Sequence, residues 1–316
     1  MLSRTGRAPR RLLTRLALPV VAALALTACG GDGGSANSGG SGAAGGRHEV
    51  KHARGTAKVP AAPKRVVTLE PVQLDTSVAL GVVPVGAAVL NETAGVPPYL
   101  GKKAAGIKTV GTVQEPNIEK IAALKPDLIL GTEARHSALY ERLASVAPTV
   151  FMASQTDPWT ENVQLVARAL GDEKGAGKLL AGYQARCAEV AGKHGTKGRT
   201  AQLVRPRDGV LTLYGPTSFA GSTLECAGFT TPERNWENSI SVDVSPERVR
   251  EARADLVVVT AADVKAADAV PDAIRDNAKT FPAPHVVDQS FWISGVGPLG
   301  GMAVLDDIDR ILTSSK

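Results

Sequence analysis

One internal repetition constrains this chain more than any other feature. Ile118-Glu119-Lys120-Ile121 and Pro126-Asp127-Leu128-Ile129 return as Pro246-Glu247-Arg248-Val249 and Ala254-Asp255-Leu256-Val257, at a constant offset of 246 − 118 = 128 residues. Each copy runs from an amphipathic stretch through an aspartate into an apolar β-branched run, the pattern of a helix feeding a strand. Two lobes of one α/β design are expected.

The rest of the body keeps that rhythm. Strands are expected at 66–69, 82–89, 127–130, 149–152, 202–204, 211–214 and 255–260, with helices at 74–80, 118–124, 137–145, 159–170, 218–226, 246–252 and 302–312. Between the lobes, Ala176, Leu179, Leu180, Tyr183, Cys187 and Val190 recur in steps of three and four and form one apolar face over 173–193. At 1.5 Å per residue such a helix is about 31 Å long, enough to carry the chain from one lobe to the other.

The first 28 residues carry five arginines (Arg4, Arg7, Arg10, Arg11, Arg15), no acid, and the apolar run 16–28. That is a secretory signal. Removing those arginines takes the net charge from +5 to 5 − 5 = 0, so a nucleic-acid partner has no electrostatic support. Leu26-Thr27-Ala28-Cys29 resembles the bacterial lipobox, which implies a diacylglyceryl group on Cys29 and a membrane anchor. Residues 30–46 contain nine glycines and no large side chain, a flexible tether with a reach of roughly 20 to 25 Å. No later apolar stretch approaches the roughly 20 residues of a membrane helix. The expected organisation is therefore a signal at 1–28, lipidated cysteine and tether at 29–62, a first lobe at 63–158, connecting helices at 159–195 and a second lobe at 196–316.

RVVTLEPVQLDTSVALGVVPVGAA (65–88), VGTVQEPNIEKIAALKPDLILG (110–131), LYGPTSFAGSTLECAGF (213–229) and SPERVREARADLVVV (245–259) resemble the iron-siderophore solute-binding proteins of ABC importers. That family has the ferrichrome and vitamin B12 binding-protein fold, class III among periplasmic binding proteins. Over 63–312 the resemblance is greatest to actinobacterial lipoproteins that bind ferric hydroxamates such as ferrioxamines. It implies two Rossmann-like lobes joined by one long helix, a ligand held in the cleft between them, little closure on binding, and no catalysis. The implied partners are a ferric siderophore and an ABC permease dimer, with the protein itself a monomer. No cofactor is implied, because iron travels inside the ligand. The same fold binding a corrinoid or haem is the alternative. A secreted enzyme that processes siderophores is another, but it would need a nucleophile and base, and G-x-S-x-G is absent.

A ferric hydroxamate presents apolar linkers and anionic oxygens, which aromatic faces and guanidinium forks suit. Trp236 and Trp292 fall where relatives carry pocket tryptophans, and Trp159 is a further candidate. Arg135 and Arg205 match arginines of the hydroxamate-binding relatives and lie at the C-terminal ends of expected strands, where open α/β sheets place ligands. Tyr214 ends the next strand and is a candidate partner for them; Arg207, Phe219, Gln73 and Tyr99 are further candidates. Val113 and Gln114 stand where ferrichrome binders carry an arginine. Glu119 and Glu247, equivalent in the repeat, match the glutamates that dock each lobe to a permease arginine. Each also suits the first turn of a helix.

Gly295-Val296-Gly297-Pro298-Leu299-Gly300 matches G-x-G-x-x-G, but only 16 residues follow, so no βαβ unit is available for a dinucleotide. The five histidines form no metal-ligand cluster: His48 and His52 adjoin the tether, and His136, His194 and His285 are scattered. Cys187 and Cys226 are compatible both with two buried thiols and with a disulfide.

Overall fold

The computed structural model describes residues 46–236 and 239–314; the signal, the lipidation site Cys29 and the tether as far as residue 45 lie outside the described residues. Part of the stretch assigned to the tether is instead a hairpin, β1 (Arg47–His52) paired antiparallel with β2 (Gly55–Pro60). Alternation turns Val50 and Val59 inward, 1% and 0% exposed, against Val66, Leu128 and Leu170. The His48 ring meets the Arg168 carbonyl at 2.6 Å and Arg54 pairs with Glu133 at 2.6 Å. Ordered structure thus starts before residue 63.

The first lobe is built on five strands, apolar without polar alternation except at one sheet edge, as burial on both faces requires. They are β3 (Val66–Thr68), β4 (Gly86–Val89), β5 (Lys108–Thr112), β6 (Leu128–Thr132) and β7 (Thr149–Met152), all parallel, in the order β5-β4-β3-β6-β7. Helix α1 (Pro71–Ala79) begins earlier than periodicity suggests because Pro71 takes the first helical position. Helix α2 (Ile118–Ala123) follows an Asn117 cap. The single helix expected at 137–145 is α3 (Glu133–His136), a 3-10 turn, and α4 (Tyr140–Ala144).

Helix α5 (Trp159–Leu170) ends at left-handed Gly171, and Asp172 caps α6 (Glu173–His194) through the Gly175 N–H at 2.8 Å. The 22 residues of α6 span about 33 Å. Its buried residues are Ala176, Tyr183, Cys187 and Val190, four of the six expected on that face, while Leu179 and Leu180 are only partly buried.

The second lobe contains β8 (Ala201–Arg207), β9 (Val210–Tyr214), α7 (Phe219–Cys226), β10 (Ser241–Val244), β11 (Leu256–Ala261), α8 (Asp272–Arg275), β12 (His285–Asp288), α9 (Gln289–Trp292) and α10 (Pro298–Ser314). Its sheet runs β10-β9-β8-β11-β12, with β8, β11 and β12 parallel and β9 antiparallel to both of its neighbours, β8 and β10. The lobes therefore differ. Asp208 and Gly209, at φ 49° and 80°, make the tight turn that folds β9 back on β8. The segment Pro246–Ala252, expected as an α-helix, is a 3-10 run.

The repeat is nevertheless physical. Asp127 accepts from the backbone N–H groups of Lys64 and Arg65, at 2.8 and 2.9 Å, where the chain enters β3. Asp255, 128 residues on, accepts from the Thr200 N–H at 2.7 Å at the entry to β8. In each lobe one carboxylate closes the open end of the neighbouring parallel strand. Those Thr200 donors hold Asp255 below the ordinary carboxylate range.

The lobes share one hydrophobic cluster, in which Val72, Met152, Trp159 and Val163 meet Tyr183, Leu203, Leu224, Trp292, Leu305 and Ile308. Asp309 of α10 ties to α6 through His194 at 2.6 Å, Lys193 at 2.7 Å and Arg186 at 3.0 Å, and these partners pull it below its usual range. Cys187 of α6 and Cys226 of α7, whose pairing the sequence leaves open, form a disulfide across 39 residues. In the chain-entropy account a loop of that size contributes about 4 kcal/mol.

Candidate functional site

A cavity of about 350 Å³ opens between the lobes. One wall comes from the first lobe, through Leu74 of α1, Val89 of β4 and the loop that carries Asn91 and Tyr99. The other comes from Arg205 of β8, Asp288 of β12, Ser290 of α9 and Ser294. β4, β8 and β12 deliver these residues at or near their C-terminal ends, where helices and loops replace strand pairing and leave side chains free. Among the lining residues, Arg205 and Asp288 are the charged pair, so their formal charges cancel.

Arg205 is half-buried, and its Nη1 lies 3.4 Å from the Tyr214 hydroxyl. The structure brings these two together. Tyr214 also borders a second, smaller chamber of about 80 Å³, whose walls include Trp159, Phe219, Trp292 and Ile293. Ile293 lines both cavities, so the aromatic chamber adjoins the cleft.

Within that chamber Trp159 is 7% exposed and meets Tyr183 and Phe219 edge to face, at 5.0 and 5.5 Å between ring centres. Trp292 is 1% exposed, and its indole N–H donates to Asp307 at 2.9 Å. Trp236 is partly buried and packs against the core of the second lobe, its ring against Gly215, where a Cβ would stand 2.8 Å from it, and the Arg234 guanidinium 5.1 Å from its centre. Glycine at 215 is what lets the indole approach.

Arg135 does not line the 350 Å³ cavity. It stands on α3 and donates to Glu70 at 2.6 Å, a carboxylate 1% exposed just past the end of β3. Burial pushes Glu70 up, while the Arg135 guanidinium and the Thr132 hydroxyl pull it down. The charge of Arg135 is thus largely compensated inside its own lobe.

Gln73 is buried and structural: its carbonyl accepts from the N–H groups of Leu69 and Glu70, both at 3.1 Å, and its amide donates to the Gly131 carbonyl at 2.7 Å. Arg207 bonds Thr212 at 2.7 Å and Asp243 on the exposed side of the hairpin. Tyr99 lines the cleft, with its hydroxyl on Asp75. Glu119 and Glu247 are both exposed and sit in equivalent first turns, after Asn117 and Ser245. Its own backbone N–H and the Ser245 hydroxyl hold Glu247 below the ordinary range.

Sequence reasoning misses Asn91, Asp288, Ser290 and Ser294. Small polar loop residues carry no periodic signal, and only their position after strands could mark them. The glycine-rich 295–300 segment, set aside above as a dinucleotide motif, leads into the first turn of α10, whose Leu299 and Gly300 N–H groups hold an acidic side chain at the helix N-terminus. It is the carboxylate of Asp75, brought from the first lobe. Among the described residues no group of three or more His, Cys, Asp or Glu could hold a metal ion, and no helix is long and apolar enough to cross a membrane.

Comparison with known proteins adds an independent observation. Residues 66–281 match the family model described as periplasmic binding protein. The chain is 32% identical over 291 residues to the probable siderophore-binding lipoprotein YfiY of Bacillus subtilis, covering 84% of this chain and 88% of the relative. It is 30% identical over 247 residues to the Fe(3+)-citrate-binding protein YfmC of the same organism, 75% of each chain. The crystal structure of Staphylococcus aureus SirA complexed with staphyloferrin B superposes with a TM-score of 0.72 at 27% identity, covering 84% of this chain and 98% of that one.

Proposed function

The chain belongs to the periplasmic binding protein family, and from that premise we propose that it is the extracytoplasmic receptor of an ABC importer, capturing a ferric siderophore of the hydroxamate class between its lobes. It is a binding protein and not an enzyme. The observation that carries the ligand class is the charge of the cleft, where Arg205 and Asp288 cancel. Three hydroxamates, each carrying one negative charge, neutralise ferric iron, whereas three catecholates leave a strongly anionic complex and hydroxycarboxylates such as citrate a partly anionic one. Recognition of those anions calls for a surplus of basic groups. The name of YfmC keeps a citrate-type ligand as the second reading.

Intrinsic tryptophan fluorescence tests this, since Trp159 and Trp292 border the chamber beside the cleft. Ferrioxamine B is expected to quench saturably. Ferric citrate, a ferric tris-catecholate, haem and a corrinoid are the competing probes. Arg205→Ala removes charge-assisted hydrogen bonds of about 1.5–3 kcal/mol each, so affinity is expected to fall roughly 10- to 100-fold with the melting temperature unchanged. A response to ferric citrate with silence to hydroxamates would keep the receptor and overturn the ligand class.

Delivery would proceed through Glu119 and Glu247, exposed at equivalent places on the two lobes, with the lipid on Cys29 keeping the receptor near its permease. Reversing both charges, Glu119→Arg with Glu247→Arg, is expected to reduce cellular uptake of the iron complex to background while leaving binding in solution untouched. Uptake at the unmodified rate would remove these residues from the docking surface.

A further inference from the structure

Asp75 is fully buried on α1 of the first lobe, yet two of its three side-chain hydrogen bonds come from the second lobe. Its Oδ1 accepts from the Leu299 N–H at 2.9 Å and its Oδ2 from the Gly300 N–H at 2.8 Å, two amides of the first turn of α10. The Tyr99 hydroxyl donates to Oδ2 at 2.9 Å from the cleft wall of the first lobe. Gly297, at φ +147°, makes the approach possible, since a Cβ there would collide with the carboxylate. The carboxylate also lies at the positive end of a 17-residue helix. Leu74 beside it, Tyr99 bonded to it, and Ile293 and Ser294 just before the helix it caps all line the cleft.

We propose that Asp75 is a positioning residue for ligand capture: a buried pin that fixes Tyr99 and the start of α10 to one point and so holds the two walls of the cleft at binding distance. The inference rests on the receptor reading for its purpose but not for its geometry. Burial drives the Asp75 carboxyl up to about 7, against the pull of the Leu299 and Gly300 amides and the Tyr99 hydroxyl. A group that unfavourable to bury, retained with every partner satisfied, suits a residue that defines an arrangement rather than one that maximises stability. Tyr99 is the titratable group bonded to it among the described residues, and the same neighbourhood holds that phenol well above its ordinary range.

Hydrogen–deuterium exchange on the ligand-free full chain tests the pin without any ligand. In Asp75→Ala, uptake is expected to rise several-fold both in 299–302 and in the opposite wall at 97–101. In Tyr99→Phe, which keeps the ring and loses only the hydroxyl, the rise should be smaller and centred on 97–101. Affinity for ferrioxamine B should fall tenfold or more in Asp75→Ala, at unchanged far-UV circular dichroism and well below its melting temperature. Loosening confined to 299–302 would make Asp75 a local helix cap and overturn the proposal. So would affinity within twofold of the unmodified protein when both walls have loosened. If Asp75→Ala fails to fold, Tyr99→Phe carries the same readouts. If ferrioxamine B does not bind the unmodified protein, the ligand reading fails while the exchange experiment still decides the pin.

Discussion

Trp292→Ala is expected to lower the free energy of unfolding by roughly 5 kcal/mol, the largest single-residue effect anticipated for this protein. Truncating a fully buried tryptophan to alanine costs about 3–5 kcal/mol in transfer and cavity terms. Trp292, 1% exposed in the cluster that joins the lobes, has little room to relax. Removing its N–H also takes the hydrogen bond from one oxygen of Asp307, whose other partner among the described residues is Arg310, and an unpaired polar atom adds about 1 kcal/mol or more. Trp292→Phe keeps most of the bulk and should cost far less. Urea unfolding of both variants, alongside ferrioxamine B titration, separates a core role from a cleft role. A loss below 1 kcal/mol with affinity reduced more than tenfold would place the indole against the ligand.

Asp75 sets the second expectation. Its carboxyl stands at about 7 in the folded protein, against 3.8 ordinarily. A folded pKa raised above the unfolded one contributes stability that is complete below about pH 4 and is lost as pH climbs through 7. At 1.36 kcal/mol per unit the loss amounts to roughly 4 kcal/mol between pH 4 and pH 8. His52, His136 and His285, each lowered by burial, slope the opposite way, favouring the fold above their ordinary 6.5 and opposing it as pH falls. Comparison with Asp75→Asn cancels the histidines. The two proteins should be of similar stability near pH 4, and the asparagine variant should gain on the unmodified protein as pH rises to 8. A gap that stays constant across this range would show that Asp75 does not titrate there. The expectation agrees with the pin: an asparagine side chain fills the same space without the buried charge, whereas alanine removes the contact.

Much of the fold can be read along the chain. Strands β3, β6, β7 and β11 announce themselves as short apolar runs, and α6 as one sustained stripe. The elements that escape have diluted patterns. Strand β5 reads Lys-Thr-Val-Gly-Thr at a sheet edge, and the β1–β2 hairpin offers little more than Val50, Ala57 and Val59 to the core. The start of α10 is hidden because Gly300 and Gly301 are poor helix formers and its cap stands 224 residues away. At the site, Arg205 and Tyr214 can be suspected from strand ends and chemistry. The compensation of Arg135 by Glu70, 65 residues earlier, cannot.

The sequence by itself determined the most apolar strands, the long helix with one apolar face between the lobes, and the repetition of one lobe design in the other, because burial of apolar surface imprints a short-range period on the chain. Only the tertiary structure decided which polar groups face the cleft and which neutralise one another. Hydrogen bonds and ion pairs act over about 3 Å in space regardless of separation in sequence. Asp75, Glu70 and Trp292 acquire their roles from Gly300, Arg135 and Asp307, partners that no local pattern specifies.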